Sequence, residues 1–385
     1  MRKATREQTR NHNTRLVLKT IYEQDGISRA DIARATRLTR PTVSTIVSDL
    51  LDDQLVAETG VGPSAGGKPP TLLEVNANAY RLLCLDLGSR EFRGTLINLR
   101  GGVTERAHFA TGGRVGRDAL ELVYKLIERL QAASPVPLLG IGVGTPGLVD
   151  PQRGVVRQAV NLDWRDLPLK SLLEERFETP AHIANDSQAA AMGEGTFGIG
   201  RDSSNLILIK VGQGIGAGIV LNGQPLYGDG FAAGEIGHVV VAGGNGHSPT
   251  CTCGNRGCLE TFSSTRAILQ RARAEMERSQ LRWQDLVSAA QAQDAAAVHV
   301  VRESGRYLGM AIANLIGAFN VHHIVISGRV SQFGELFLQA AQSEARRRAL
   351  PAMVDETTLS YSVLGEDVVV LGSSALVLKH ELGIV

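Results

Sequence analysis

Three of the four cysteines in this 385-residue chain crowd into one short stretch, "CTCGNRGCLE" at 251–260. Cys251, Cys253 and Cys258 must end up close together in any fold, whereas Cys84 lies far away in "RLLCLDLGS". The segment is therefore tied either by a disulfide or by a metal ion. The opening "MRKATREQTRNHNTR" lacks the apolar core of a signal peptide. No apolar run reaches the roughly 18 residues needed to cross a bilayer. The chain is thus expected in the cytoplasm with no membrane contact, where stable disulfides are rare. That expectation favours a metal for the cysteine cluster.

The length leaves room for two or three domains, and the charge is spread unevenly. Residues 1–40 carry ten Lys/Arg against four acids, a balance of +6, while the whole chain is only +1. A basic terminus is one footprint of nucleic-acid binding and also an ordinary solvated surface. The pattern after it is more specific. A helical stretch from about residue 9 to 23 precedes "DGISRADIARATRLTRPTVSTIVSDLLDDQLV". Ser28 and Asp31 have capping-box spacing, opening a short helix through Arg34. Thr39 can cap a second helix with Pro41 in its first turn, where the missing N–H is harmless.

On that second helix Val43, Ile46, Val47, Leu50 and Leu51 form one buried stripe. Its other face offers Arg40, Thr42, Ser44, Thr45 and Ser48, short hydrogen-bonding groups that fit a major groove. Two strands, "LVAETG" and "TLLEVN", then flank the Gly/Pro-rich tip "VGPSAGGKPP". Helix–turn–helix plus hairpin predicts a winged helix ending near residue 79. A small protein-interaction domain could show the same elements. The candidate contacts to double-stranded DNA are Ser28, Arg29, Thr39, Arg40, Thr42, Ser44, Thr45, Ser48 and, at the wing tip, Lys68.

From residue 81 strands alternate with helices, which predicts an α/β architecture. The glycine-rich loops "DLGS" and "GQGIGAG" could present backbone N–H groups to a phosphate, or could be tight turns. Asn185 and Asp186 follow an apolar strand, as pocket residues or as a helix cap.

Together, "GEIGH", "CTCGNRGCLE", "GVGTPGLVD" and "ANDSQAA" resemble the ROK family of repressors, open reading frames and kinases. The winged helix is similar to the family's repressor branch. The resemblance spans essentially the whole chain. It implies a winged helix-turn-helix (residues 1–79) joined to an actin-like, sugar-kinase-like two-lobed ROK domain (residues 80–385). Lobe I would take about 80–195 plus a C-terminal helix at about 366–385, and lobe II about 196–365. It also implies one structural Cys3His zinc site per chain, formed by Cys251, Cys253, Cys258 and a histidine. Spacing alone points to His247; the family motif points to His238. A monosaccharide pocket would comprise Asn161, Asn185, Asp186, Glu235, His238 and Glu260, with Gly144 and Gly147 admitting the ring.

In the family's kinases the aspartate matching Asp186 is the general base. Their first phosphate loop resembles D-x-G-G-T-K, whereas Asp86 here is followed by a sequence with Ser89, Arg90 and Glu91 in place of glycine, threonine and lysine. Gln213 replaces the threonine of the second loop. Such changes remove the positioning and electrostatics that phosphoryl transfer needs. The expectation is a sugar-responsive repressor and not an enzyme, acting as a homodimer or tetramer whose two winged helices match two half-sites. An active sugar kinase with a DNA-binding extension is the alternative.

Overall fold

The computed structural model describes residues 5–63, 69–201, 203–243 and 248–385. Lys68 and His247, two residues singled out above, lie outside them. The chain forms two compact units: Met1–Val143 with Pro151–Ile183 and Ser373–Val385, and Gly144–Asp150 with Ala184–Gly372.

The first unit begins with the winged helix. Helix α1 (Arg6–Glu23) starts a few residues before the apolar pattern does, because Thr5 and Gln8 close a capping box. Strand β1 (Ile27–Ser28) leads into α2 (Arg29–Thr36), and α3 (Arg40–Asp52) follows a left-handed turn at Arg37. Strands β2 (Val56–Val61) and β3 (Thr71–Val75) pair antiparallel, and the small sheet runs β1-β3-β2. Ile21, Ile32, Val43, Val47 and Leu73 fill its core, each fully buried. The expected apolar stripe of α3 is buried at Val43, Ile46, Val47 and Leu50, whereas Leu51, expected with them, is half-buried at the helix end.

Strands β4 (Arg81–Leu87), β5 (Glu91–Ile97) and β6 (Val103–Ala110) form an antiparallel meander. Helix α4 (Gly116–Ala133) follows, with its apolar side buried from Ala119 to Leu130. Strand β7 (Leu138–Thr145) comes next, then β8 (Leu148–Asp150), β9 (Val155–Ala159), β10 (Trp164–Leu167), α5 (Leu169–Phe177) and β11 (Ala181–Asn185). The main sheet is ordered β11-β7-β4-β5-β6.

The winged helix is tied to the rest of this unit by two arginines. Arg100, in the β5–β6 turn, stacks over the Tyr22 ring at 4.4 Å, donates to the Tyr22 carbonyl at 2.5 Å and pairs with Asp25. Arg15 donates to the His380 carbonyl at 3.1 Å.

The long segment of the second unit, Ala184–Gly372, starts ahead of the lobe break that the sequence suggests near 195, because α6 (Asp186–Phe197) packs on β12 (Leu206–Val211) and β13 (Ile215–Leu221). After β14 (Gln224–Pro225) the chain runs through a 3-10 turn, Ile236–His238, to α7 (Glu260–Ser263). Helices α8 (Thr265–Glu275), α9 (Trp283–Gln291) and α10 (Ala295–Phe319) precede β15 (His323–Ser327). Helices α11 (Glu335–Arg348) and α12 (Pro351–Val354), β16 (Thr358–Tyr361) and α13 (Val368–Val377) complete the chain, α13 continuing as a π-helical turn, Leu378–Leu382. The sheet order is β14-β13-β12-β15-β16, with β12, β15 and β16 parallel. Among the described residues no helix is long and apolar enough to cross a membrane.

Candidate functional site

The three clustered cysteines meet a histidine. His238, Cys251, Cys253 and Cys258 bring their donor atoms within 4.8 Å of one another. His238 Nδ1 lies 3.5 Å from Cys251 Sγ, and Cys253 Sγ lies 3.7 Å from Cys258 Sγ. At a tetrahedral zinc with Zn–S near 2.3 Å and Zn–N near 2.0–2.1 Å, the edges are about 3.8 Å between sulfurs and about 3.6 Å between nitrogen and sulfur. The observed spacings fit that donor set. Burial pushes the Cys258 thiol up to about 12, so a thiolate there calls for a neutralising cation. Cys253 is exposed, and a backbone N–H from Asn255 holds its thiol below the ordinary value. The ligand loop has little regular structure among its described residues. It is pinned by the bridges Val240–Cys258 and Thr250–Arg256.

His238 ends a turn that is laid along β13. Ala217 N–H donates to the Gly234 carbonyl at 2.7 Å, and Ile236 is buried in the core of the unit. Gly234 has φ +95°, and a Cβ there would sit 1.9 Å from the Ala217 oxygen, so only glycine allows this approach. The turn carries Glu235 as well as His238. Burial raises the Glu235 carboxyl, the charges of Asp186 and Glu260 raise it further, and His238 opposes them. Asp186 and Glu260 are thus both electrostatic neighbours of Glu235. Glu260 is 9 % exposed, and its carboxylate reaches the β12–β13 loop, where a Cβ on Gly214 would lie 2.6 Å from Oε2.

Asn185 caps α6: its side-chain oxygen accepts from the N–H groups of Ser187 (2.9 Å) and Gln188 (3.3 Å), while Nδ2 donates to the Gly147 carbonyl at 2.9 Å. The cap reading of this residue holds, and the cap consumes its oxygen. Asp186 begins the helix and pairs with Lys210, Nζ to Oδ2 2.7 Å. Arg266 stands 3.5 Å from Glu260. Neither cation was legible as a site residue in sequence, since each meets its partner only through the fold. Asn161 belongs to the first unit, exposed in the 3-10 turn Val160–Leu162.

On the winged helix, Thr39 caps α3 by accepting from Thr42 N–H at 3.4 Å. Arg40, Ser44, Thr45 and Ser48 are exposed along its outer face and Thr42 is half-buried. The Thr45 hydroxyl donates to the Pro41 carbonyl at 3.1 Å. Arg29 is held by Glu58 of β2 at 3.0 Å. Ser28 requires a correction: it is only 3 % exposed, and its Oγ accepts from Asp31 N–H and donates to the Asp31 carboxylate at 2.6 Å. Ser28 is a buried cap whose hydroxyl is committed to Asp31.

A sequence profile of the ROK family matches residues 82–380, and one of winged helix-turn-helix DNA-binding domains matches residues 10–57. The chain belongs to the ROK family. Relatives of two kinds resemble it. The xylose repressor of Bacillus spizizenii is 32% identical over 377 residues, 97% of this chain and 96% of its own. A glucokinase of Halalkalibacterium halodurans is 37% identical over 314 residues, 77% of this chain and 94% of its own. Among solved structures, a ROK family transcriptional regulator described as a homologue of the Escherichia coli MLC protein matches with a TM-score of 0.87 at 29% identity, covering 98% of each chain. The fold is thus a winged helix-turn-helix followed by a ROK sugar-kinase-like α/β domain.

Against that family background, two loops are informative. In the first unit Asp86 is 4 % exposed and paired with its cross-strand neighbour Arg93 at 2.5 Å. The Thr111 hydroxyl lies 3.0 Å from the carbonyls of both Ser89 and Arg90, fastening the β4–β5 turn. In the second unit the Gln213 amide donates to Thr265 Oγ1 at 3.3 Å, and that hydroxyl donates to the Gly212 carbonyl at 2.8 Å.

Proposed function

We propose that this chain is a sugar-responsive transcriptional repressor, which binds operator DNA through α3 and is released by a monosaccharide bound in its ROK domain. The observation that carries the reading is the outer face of α3, where Arg40, Ser44, Thr45 and Ser48 stand exposed on a capped, rigid helix at the head of a ROK domain. Such a surface has no use in a sugar kinase and fits a major groove. The repressor relatives, matched over nearly the whole chain, support it. The protein acts as a homodimer or tetramer, presenting two such helices to paired half-sites.

The sugar is read by Asn185, Asp186, Glu235, His238 and Glu260. Carboxylates suit this task, because hydrogen bonds to charged groups contribute about 1.5–3 kcal/mol each and a missing hydroxyl leaves a buried charge unpaired. His238, Cys251, Cys253 and Cys258 would hold one zinc ion, which supplies a structural cross-link and not reaction chemistry. An imidazole held through Nδ1 leaves its other ring N–H as a donor in fixed orientation. Sugar shifts DNA affinity only if it binds the released conformation better, and operator must then weaken sugar binding by the same factor.

We read the chain as having no phosphoryl-transfer activity. Asp86 is already neutralised by Arg93, the Ser89–Arg90 turn is fastened to Thr111, and Gln213 is turned toward Thr265. Sugar kinase activity is the second reading, favoured by the glucokinase relative and by Asp186. The deciding experiment measures fluorescence anisotropy of duplex DNA from upstream of the chain's own gene, with and without D-xylose, D-glucose or N-acetyl-D-glucosamine. Salt-sensitive binding relieved by one sugar is the expected result. Sugar-dependent ADP formation from ATP, lost in Asp186→Asn, would overturn the non-enzymatic reading.

A further inference from the structure

Lys210 sits in β12 opposite Gly216 of β13 and beside Ser327 of β15. Residues paired across neighbouring strands project from the same face of the sheet. Helix α6 covers that face, since a Cβ at Gly216 would lie 2.5 Å from Ser187 Oγ. The lysine therefore rises beneath the first turn of α6, where Nζ meets Asp186 Oδ2 at 2.7 Å. The Ser187 hydroxyl takes the other oxygen, at 3.2 Å from Oδ1. Both partners are well shielded, with side-chain exposures of 25 % and 16 %. A pair this sheltered is held more firmly than a surface ion pair. Ser327 Oγ, in register with Lys210, and Gln188 Oε1, two residues after Asp186, are buried and have no hydrogen-bond partner among the described residues.

The charge balance explains why a cation is needed here. Glu235 feels the charges of both Asp186 and Glu260. Arg266 pairs with Glu260 at 3.5 Å. Lys210 is the cation in contact with Asp186. Without it, the Asp186 carboxylate would lose both the partner that holds it in place and the charge that offsets it.

We propose that Lys210 is a positioning residue for sugar recognition, fixing the Asp186 carboxylate and offsetting the negative charge of the site so that Asp186 can accept a hydroxyl of a neutral monosaccharide. This inference rests on the sugar-sensing reading and names the residue on which that site depends. It assigns Lys210 no contact with the sugar: its effect runs through Asp186.

Isothermal titration calorimetry on the full chain, with D-xylose, D-glucose and N-acetyl-D-glucosamine as probes, tests it. Lys210→Met is expected to weaken the sugar that the wild type binds on the order of tenfold or more. Lys210→Arg should recover most of that loss, which a merely space-filling role would not allow. The double variant Asp186→Asn with Lys210→Met should bind no more weakly than Asp186→Asn alone, because a residue acting through Asp186 has nothing left to act on. Wild-type affinity in Lys210→Met would overturn the proposal, as would failure of Lys210→Arg to recover binding or losses that multiply in the double variant. Should Lys210→Met alone not fold, Lys210→Arg and the charge-neutral double variant still decide. Failure of every probe to bind the wild type would overturn the sugar reading itself, and this inference with it.

Discussion

Replacing Cys258 by serine removes a fully buried donor from the four-membered cluster. The expected cost follows from what the cross-link closes. His238 lies 13 residues from Cys251 and 20 from Cys258, and little regular structure connects them. By chain entropy a cross-link closing a loop of about 15 residues stabilises by roughly 3 kcal/mol. In a unit of this size 1 kcal/mol corresponds to about 2–4 °C in Tm, so loss of the metal should lower Tm by roughly 6–12 °C. The assay is differential scanning fluorimetry of wild type and Cys258→Ser, paired with metal content by mass spectrometry and limited proteolysis around the exposed residues 252–256. The wild type should hold one equivalent of zinc, and the variant should lose it, melt earlier and be cut in that loop. Retention of a full equivalent of zinc by the variant, or a wild type that purifies without metal and melts unchanged after zinc is added, would refute the reasoning.

Three other outcomes are expected. Arg40→Ala should weaken duplex binding and reduce the slope of log affinity against log salt by about one, if its guanidinium meets a phosphate, as titrations across a salt series would reveal. Ser28→Ala should instead cost about 1 kcal/mol of stability from the lost cap while the folded protein binds DNA as before; denaturant melts beside anisotropy separate the two effects. Burial, the largest cause, holds both His182 and His380 below the ordinary histidine value, although Glu381 pulls the other way, and their rings stack at 4.4 Å. The unfolded chain then takes up protons below about pH 6.5 while the folded chain resists, so stability is intact above that pH and is lost on acidification. Melts between pH 7.5 and 5.5 should show the fall, and a double replacement of these histidines by glutamine should flatten it.

Much of the local structure was legible because it is written in short spacings. Thr39 caps α3 through a neighbour three residues on, and the stripe Val43, Ile46, Val47, Leu50 is buried as its period requires. Capping also misled once. The same short-range spacing that marked Ser28 as a cap hid the fact that a cap at the start of a packed helix is buried, with its hydroxyl already engaged. The early start of α1 was missed because its first turn is set by the Thr5–Gln8 box and not by apolar residues.

The sequence by itself determined where strands and helices alternate, which helix turns a polar face outward, and that three thiols must converge. These depend on residues a few positions apart, whose geometry the backbone period dictates. For the histidine the family motif pointed to His238 and the fold brings it to the thiols from 13 residues away, but only the tertiary structure decided that Lys210 meets Asp186 across 24 and that Arg100 clamps Tyr22 across 78. Such pairings arise when separate strands and helices are stacked against one another, and no periodicity along the chain records which elements will touch.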